Sequence, residues 1–210
     1  MSKTPLLLLG AGGHARACID VIEQDGRFEV AGMTGLPQEV GTTVLGYPVV
    51  GTDHDLPALL RKHKYAIVAV GQIKSADLRM ALFSKLVQSG CNLPAIVSPR
   101  AHVSRHAALG AGSIVMHGAI VNAGATVGRN CIVNSIALIE HDTVIEDHCH
   151  IATAAAVNSG VRVGAETFVG SNACVRQGTR IGKNCVIGMG QRVLADCAAG
   201  TWMPPRRPAP

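Results

Sequence analysis

From Val97 to Val193 every sixth residue is aliphatic: Val97, Val103, Leu109, Val115, Val121 and onward without a break, all but Leu109 β-branched. Four residues after each of these the side chain is usually small, as at Ala119, Ala125, Cys131, Ala137, Cys149 and Cys185, with Val161 and Gln191 as larger exceptions. A period of six fits neither an amphipathic helix nor a strand of period two. It is the period of a parallel β-solenoid, in which each hexad forms one flat side and three hexads close a triangular coil. The aliphatic residue fills the interior and the small one lets the chain turn. Glycine directly after the aliphatic, as in Val127-Gly128, Val169-Gly170 and Ile187-Gly188, is expected to serve backbone geometry that other residues resist. About five coils of 18 residues are expected to stack here. Strands of an ordinary sandwich would not hold one register for so long.

The composition agrees with a thin solenoid, because 48% of the chain is apolar but only 3% is aromatic, so the core is built from small aliphatics. A net charge of +5 invites a nucleic-acid reading, yet the basic residues are scattered and few aromatics exist to stack on bases. Anionic small molecules such as phosphate-bearing cofactors are the better expectation, with no nucleic-acid partner. The seven cysteines include no CxxC pair, and Cys131, Cys149 and Cys185 fall on the small interior position. They read as buried thiols of a reducing, cytoplasmic compartment and not as zinc ligands. The apolar run Leu6–Leu9 is too short for a signal segment, and no membrane span is expected.

Residues 1–94 lack the hexad and read as alternating strands and helices. Pro5–Leu9 is a buried strand leading through Gly10-Ala11-Gly12-Gly13-His14-Ala15 into a helix that reaches Ile22. Phe28–Gly32, Tyr47–Val50 and Ala66–Val70 are further strands, and Asp53–Lys64 and Ser75–Gln88 are helices, the first with Asp53 as N-cap and the second closed by Gly90. This alternation implies a small parallel sheet, joined to the solenoid across Pro94–Pro99. The turn fits G-x-G-x-x-A, where glycines let a phosphate approach the free N–H groups of a helix start. A dinucleotide site also needs an acid at the end of the second strand, where this chain has Met33-Thr34, which argues against NAD. A nucleotide-sugar phosphate site and a purely structural tight turn both remain open.

Chemistry concentrates in one stretch, Ile139–His150, where Glu140, His141, Asp142, Glu146, Asp147, His148 and His150 fall in two consecutive hexads. A histidine beside a carboxylate suits a general base, since the carboxylate fixes the tautomer and supports the cation. His141 and Asp142 meet only if the corner turns there, and His150 is placed to reach a neighbouring coil or an adjacent subunit. A solvated polar flank is the plainer alternative. A metal site of the gamma carbonic anhydrase kind needs three converging imidazoles, which His141, His148 and His150 do not obviously supply, so no metal is expected.

The hexads resemble the left-handed β-helix of the hexapeptide-repeat acyltransferases. The GAGGH turn, the small α/β segment and the span from Asn134 to His141-Asp142 are together similar to bacterial sugar acetyltransferases of the NeuD/PglD type. The resemblance implies a Rossmann-like nucleotide-sugar-binding domain over residues 1–94 and a left-handed β-helix acetyltransferase domain with a C-terminal tail over residues 95–210. It implies an acetyl-CoA-dependent N-acetyltransferase acting on a UDP-4-amino-sugar type of substrate for surface glycan synthesis, with sialic-acid O-acetylation as the alternative. His141 matches the catalytic base, oriented by Asp142 where relatives often carry glutamate, and Asn134 matches an asparagine on the acceptor side. His150 matches a histidine near the acetyl group, and the backbone N–H of Ser159 matches the oxyanion donor. Gly170, Ser171, Gly188 and Met189 match cofactor contacts, and Gly12, Gly13 and His14 match the sugar-nucleotide phosphate site. A homotrimer with the site between adjacent helices is implied, and Arg206 is expected near cofactor phosphates. Two alternatives of other classes are a gamma-carbonic-anhydrase-like metal enzyme and a non-catalytic nucleotide-sugar-binding protein.

Overall fold

The computed structural model describes residues 3–205, so Arg206 and its expected role lie outside the described residues. The first part of the chain runs β1 (Thr4–Leu9), α1 (Gly13–Asp25), β2 (Phe28–Thr34), β3 (Thr43–Val44), β4 (Tyr47–Gly51), α2 (Leu56–Lys62), β5 (Ala66–Val68) and α3 (Asp77–Gln88). The sheet order is β3-β4-β2-β1-β5, with only β3 antiparallel to its neighbour. Leucines on successive positions of β1 explain its central place. Leu6 and Leu8 face the cluster built with Ile19 and Ile22 of α1, while Leu7 and Leu9 face Leu82 and Leu86 of α3. A strand covered on both faces reads as a continuous apolar run. Helix α1 buries Ala15, Cys18, Ile19 and Ile22, a spacing of three and four that forms one stripe, and stops at Gly26 with φ +75°.

One sequence expectation is corrected here. Helix α2 starts at Leu56 with Asp55 as N-cap, not at Asp53. The Asp55 carboxylate accepts from the backbone N–H and the hydroxyl of Thr52, which stabilises the preceding turn. Asp53 is thereby released, and its Oδ1 accepts instead from Thr34 Oγ1 at 3.3 Å.

The rest of the chain is a left-handed β-helix of three parallel sheets with six, five and seven strands. Each strand pairs with the one 18 residues on, as Val121 with Ile139, Val127 with Ile145 and Val133 with Ile151. Five coils run from Ile96 to Cys185 before the chain loosens, and Trp202–Met203 then pairs with Val186–Ile187. The expected thiols Cys131, Cys149 and Cys185 are fully buried in the interior, among Ile139, Ile145 and Ile151. Each buried Val or Ile contributes about 1.5–3 kcal/mol, so the hexad itself is the main source of stability.

The glycines that follow the aliphatic residue have a different reason from the one expected. They are not left-handed; a Cβ on Gly170 would lie 2.6 Å from Met189 N, and one on Gly188 would lie 2.5 Å from Pro205 N. The next coil passes too close for a side chain. The left-handed residues sit instead at the corners, every sixth position from Gly112 to Gly190. Asparagine fills several of them (Asn130, Asn172, Asn184), as its short polar side chain tolerates this region, but Ile136 at φ +61° is a β-branched residue in a strained conformation.

The two parts share a packed seam. Ile96, Ile114 and Ile132, on the outer face of one solenoid sheet, join the same cluster as Leu6 and Ile19. Arg79 of α3, 1% exposed, donates to Val70 O, and to Asn130 O and Oδ1 at 2.8 Å each. Burial pulls its guanidinium down to about 10, so it stays charged at neutral pH. On the α1 side, His117 of the solenoid meets Asp20 at 2.8 Å and Ser98 Oγ at 2.6 Å.

Candidate functional site

The turn after β1 opens on a cavity of about 280 Å³ that runs along the C-terminal ends of the strands. Gly10, Ala11 and Gly12 form its floor, Val70, Leu78 and Leu82 one side, and Thr34, Leu36, Glu39 and Asp53 the other. Gly12 is the N-cap of α1 and makes no side-chain cap, and the first turn carries no acid, so its N–H groups and dipole are available to an anion. Gly12 and Gly13 have open space where a Cβ would stand. Asp53 is the residue that sequence reasoning missed. The acid sought at the end of β2 comes from the end of the neighbouring strand β4, which only the sheet order reveals.

His14 begins α1 and turns from this cavity toward the seam. Its ring lies 6.4 Å from that of His150, and its Nε2 is sealed from solvent without a hydrogen-bond partner among the described residues. Burial, then the nearby charge of Arg79, then His150 lower its pKa to about 3. His150 is 7% exposed and packs edge-on against Phe168 at 5.2 Å. Burial holds it at about 4, so the imidazole is neutral. Its Nδ1–H donates to Gln72 O at 2.6 Å, which leaves Nε2 to accept from Asn134 Nδ2 at 3.2 Å. The loop after β5 that carries Gln72 also reaches Glu166 O through its side-chain amide, at 3.2 Å. Asn134 and His150 are therefore hydrogen-bonded to each other, with the His14 ring nearby across the seam, a grouping invisible in the linear sequence.

His141 and Asp142 stand elsewhere. Asp142 takes the left-handed corner with φ +59°, and its Oδ2 accepts from His141 Nδ1 at 2.9 Å. The corner does turn where the pair requires it. Glu140 braces the segment, accepting from Asn122 Nδ2 at 2.9 Å and from the backbone N–H of His141 at 3.2 Å. Both His141 and Asp142 are exposed. Ser159 lies one coil further along the same corner, where Gly160 N donates to His141 O at 3.0 Å. The Ser159 N–H itself has no partner among the described residues.

Gly170 and Gly188 continue the corner of Asn134, one and two coils beyond Ala152. Ser171, Gly188 and Met189 line a second cavity of about 310 Å³, together with Phe168, Trp202 and Lys74. Within one chain the expected residues thus fall into two groups: His141, Asp142 and Ser159 on one corner, and Asn134, Gly170, Ser171, Gly188 and Met189 on the previous one, with His150 and His14 behind it. His148 occupies the third corner, packed edge-on at 5.4 Å from Phe83. Among the described residues no three His, Cys, Asp or Glu side chains are grouped to hold a metal ion.

Comparison with known proteins shows the family. The PglD N-terminal domain pattern matches residues 5–86, and the hexapeptide repeat of succinyl-transferase matches residues 160–195. The acetyltransferase domain of PglB from Neisseria gonorrhoeae, solved with acetyl coenzyme A, is 30% identical, with 99% of this chain and 100% of that chain covered and a TM-score of 0.88. Perosamine N-acetyltransferase from Caulobacter crescentus, solved as a mutant with one histidine replaced by asparagine and with CoA and GDP-perosamine, is 32% identical. It covers 96% of this chain and 93% of its own, with a TM-score of 0.89. The chain belongs to the NeuD/PglD-type sugar acetyltransferases. No curated protein sequence matched it. As a hexapeptide-repeat acetyltransferase it combines the GAGGH turn with the β-helix over almost its whole length.

Proposed function

We propose that this acetyltransferase moves the acetyl group of acetyl-CoA to the amine of a nucleotide-linked amino sugar, with His141 as general base. The observation that carries the reading is the corner of His141, Asp142 and Ser159. Asp142 accepts from Nδ1–H, so the lone pair of Nε2 faces outward, and Nε2 has no other partner among the described residues. One coil along, the free Ser159 N–H is an oxyanion donor of the required kind. The sugar amine attacks the thioester carbonyl carbon while its proton passes to His141 Nε2. The tetrahedral oxyanion rests on Ser159 N–H, the C–S bond breaks, and the CoA thiolate recovers the proton from His141. No covalent enzyme intermediate is needed. That perosamine N-acetyltransferase was solved with CoA and a nucleotide sugar after loss of one histidine supports a histidine at the reacting end.

The phosphates of the nucleotide sit on Gly12, Gly13 and the start of α1, in the domain formed by residues up to about 94. Acetyl-CoA takes the corner of Gly170, Ser171, Gly188 and Met189, with Asn134 at its reacting end; His150, expected near the acetyl group, is instead buried behind Asn134 and holds its amide. Because this corner and that of His141 are separated by one face of the same coil, a complete site draws on two copies of the chain. The face between them exposes apolar Ile120 and Ile136, which supports its burial in a homotrimer. Seven unpaired cysteines support a reducing, cytoplasmic setting, and no helix among the described residues is long and apolar enough to cross a membrane.

Mass spectrometry of UDP- and GDP-linked amino sugars and free sialic acids, each incubated with acetyl-CoA and the protein, tests this. Gain of one acetyl group on a nucleotide-linked amino sugar is expected; transfer to sialic acid alone would reassign the reaction to O-acetylation. His141→Ala is expected to lower kcat by about 10²–10⁴-fold while acetyl-CoA still binds. Wild-type turnover in that variant removes the base assignment.

A further inference from the structure

The sequence left the nucleotide base without a reader, since the acid expected at the end of β2 is absent. The sheet supplies one. Building on the proposal that the turn cavity holds the nucleotide, we propose that Asp53 reads the base and that the base is guanine.

The direction of the ligand along the strand ends follows from the seam. The acetylated sugar has to reach the β-helix, and the loop after β5 is the part of the cavity rim that touches it, through Gln72 to His150 and Glu166. The sugar therefore takes the β5 side, next to Val70. The phosphates take the start of α1 at Gly12, above the end of β1. The nucleoside is left with the β2 and β4 side, because the order of these strands is β4-β2-β1-β5. Strands lie ~4.8 Å apart, so the end of β2 is one spacing from the phosphates and the end of β4 about 10 Å away. The ribose falls over β2, within reach of Glu39, whose Oε2 already accepts from Leu36 N at 2.7 Å. The base falls beyond the ribose, between the ends of β2 and β4, at the Asp53 carboxylate that Thr34 of β2 holds.

Asp53 lines the cavity, and Thr34 Oγ1, itself buried, holds one of its oxygens at 3.3 Å. A carboxylate is an acceptor only. Guanine offers it two parallel donors, N1–H and the exocyclic N2–H, in the paired geometry that a carboxylate accepts best. Uracil presents one N–H flanked by two carbonyl oxygens, which a carboxylate repels. The exposed Leu36 beside it provides an apolar wall for the face of a purine. The base assignment departs from the uridine nucleotide expected from the sequence.

Calorimetry of GDP, IDP and UDP against the intact protein decides the matter. IDP differs from GDP by the absence of the exocyclic amine. GDP is expected to bind on the order of tenfold more tightly than either, the discrimination typical of a good paired base contact. Asp53→Asn is expected to remove most of the GDP advantage while UDP binds as tightly as before or more tightly, because an amide can donate to a uracil carbonyl and accept from its N–H, a result that loss of structure would not produce. If that variant does not fold, the series on the unaltered protein still decides. UDP binding as tightly as GDP, or IDP equal to GDP, overturns the assignment. Acetyl transfer to UDP- and GDP-linked sugars with equal kcat/KM overturns it too, and leaves the proposed reaction standing. If no nucleoside diphosphate or nucleotide sugar binds while acetyl-CoA does, the nucleotide-sugar reading falls and this one with it.

Discussion

Replacing His150 by glutamine tests whether the seam holds a neutral imidazole. In the fold His150 titrates at about 4, against 6.5 when unburied, because burial penalises the cation. In the unfolded chain it takes up a proton as the pH falls through 6.5, while the folded protein does not. The unfolded state binds more protons in this window, so stability falls with falling pH. The loss begins near the unfolded pKa and is complete below the folded one. A difference of two to three units corresponds to roughly 3 kcal/mol, a large share of the ~5–15 kcal/mol that a fold of this size retains. The slope for one such proton is about 1.4 kcal/mol per pH unit. His14, held at about 3 by burial and by Arg79, adds a second proton in the same direction. Urea unfolding from pH 7.5 to 5.5, above most of the range in which the carboxylates titrate, reads the slope directly. His150→Gln is expected to lower stability at pH 7.5, through loss of the paired ring, and to remove about one proton from the slope. If the variant keeps the slope of the unaltered protein, His150 is not a buried neutral group in the fold and the description of the seam is wrong.

Arg79→Ala removes donors to Val70 O, Asn130 O and Asn130 Oδ1 and leaves these acceptors buried. A stability loss of about 3 kcal/mol in urea unfolding is expected. Gly170→Ala places a Cβ 2.6 Å from Met189 N, so two coils must separate; thermal unfolding should show a loss of about 1–3 kcal/mol, with weaker acetyl-CoA binding in calorimetry. Ile136→Asn relieves the strain of a β-branched residue at φ +61° but takes an apolar side chain from the face proposed to be buried between copies. Weaker association is expected in sedimentation, and association as tight as that of the unaltered protein counts against that interface.

The elements of the first part were legible where a pattern was long or punctuated. The buried run of β1, the glycine turn and the Gly26 and Gly90 stops announce themselves locally. The start of α2 was misplaced because Asp53 and Asp55 are equally good caps by type, and only the hydrogen bonds of Thr52 choose between them. The pairing of His141 with Asp142 was readable because it depends on one corner, and corners recur every six residues. The seam of His14, Gln72, Asn134 and His150 was not, because four distant stretches meet only once the sheet packs on the solenoid. Arg79 is the sharpest instance. A lone arginine on a helix reads as solvated, and nothing in its neighbourhood in sequence shows the two carbonyls and the amide oxygen that bury it.

The sequence by itself determined the solenoid. A period of six is a local rule applied again and again, and stacking needs no information beyond what each coil carries for its neighbour. It also determined which corner bears the histidine–carboxylate pair. The tertiary structure decided which side of the prism the α/β part covers, how Asp53 enters the turn cavity from a strand that does not follow the turn, and that the two corners proposed for the site stand one face apart. Those facts depend on strand order and on the docking of two surfaces. They are long-range contacts, whose partners the chain brings together only on folding.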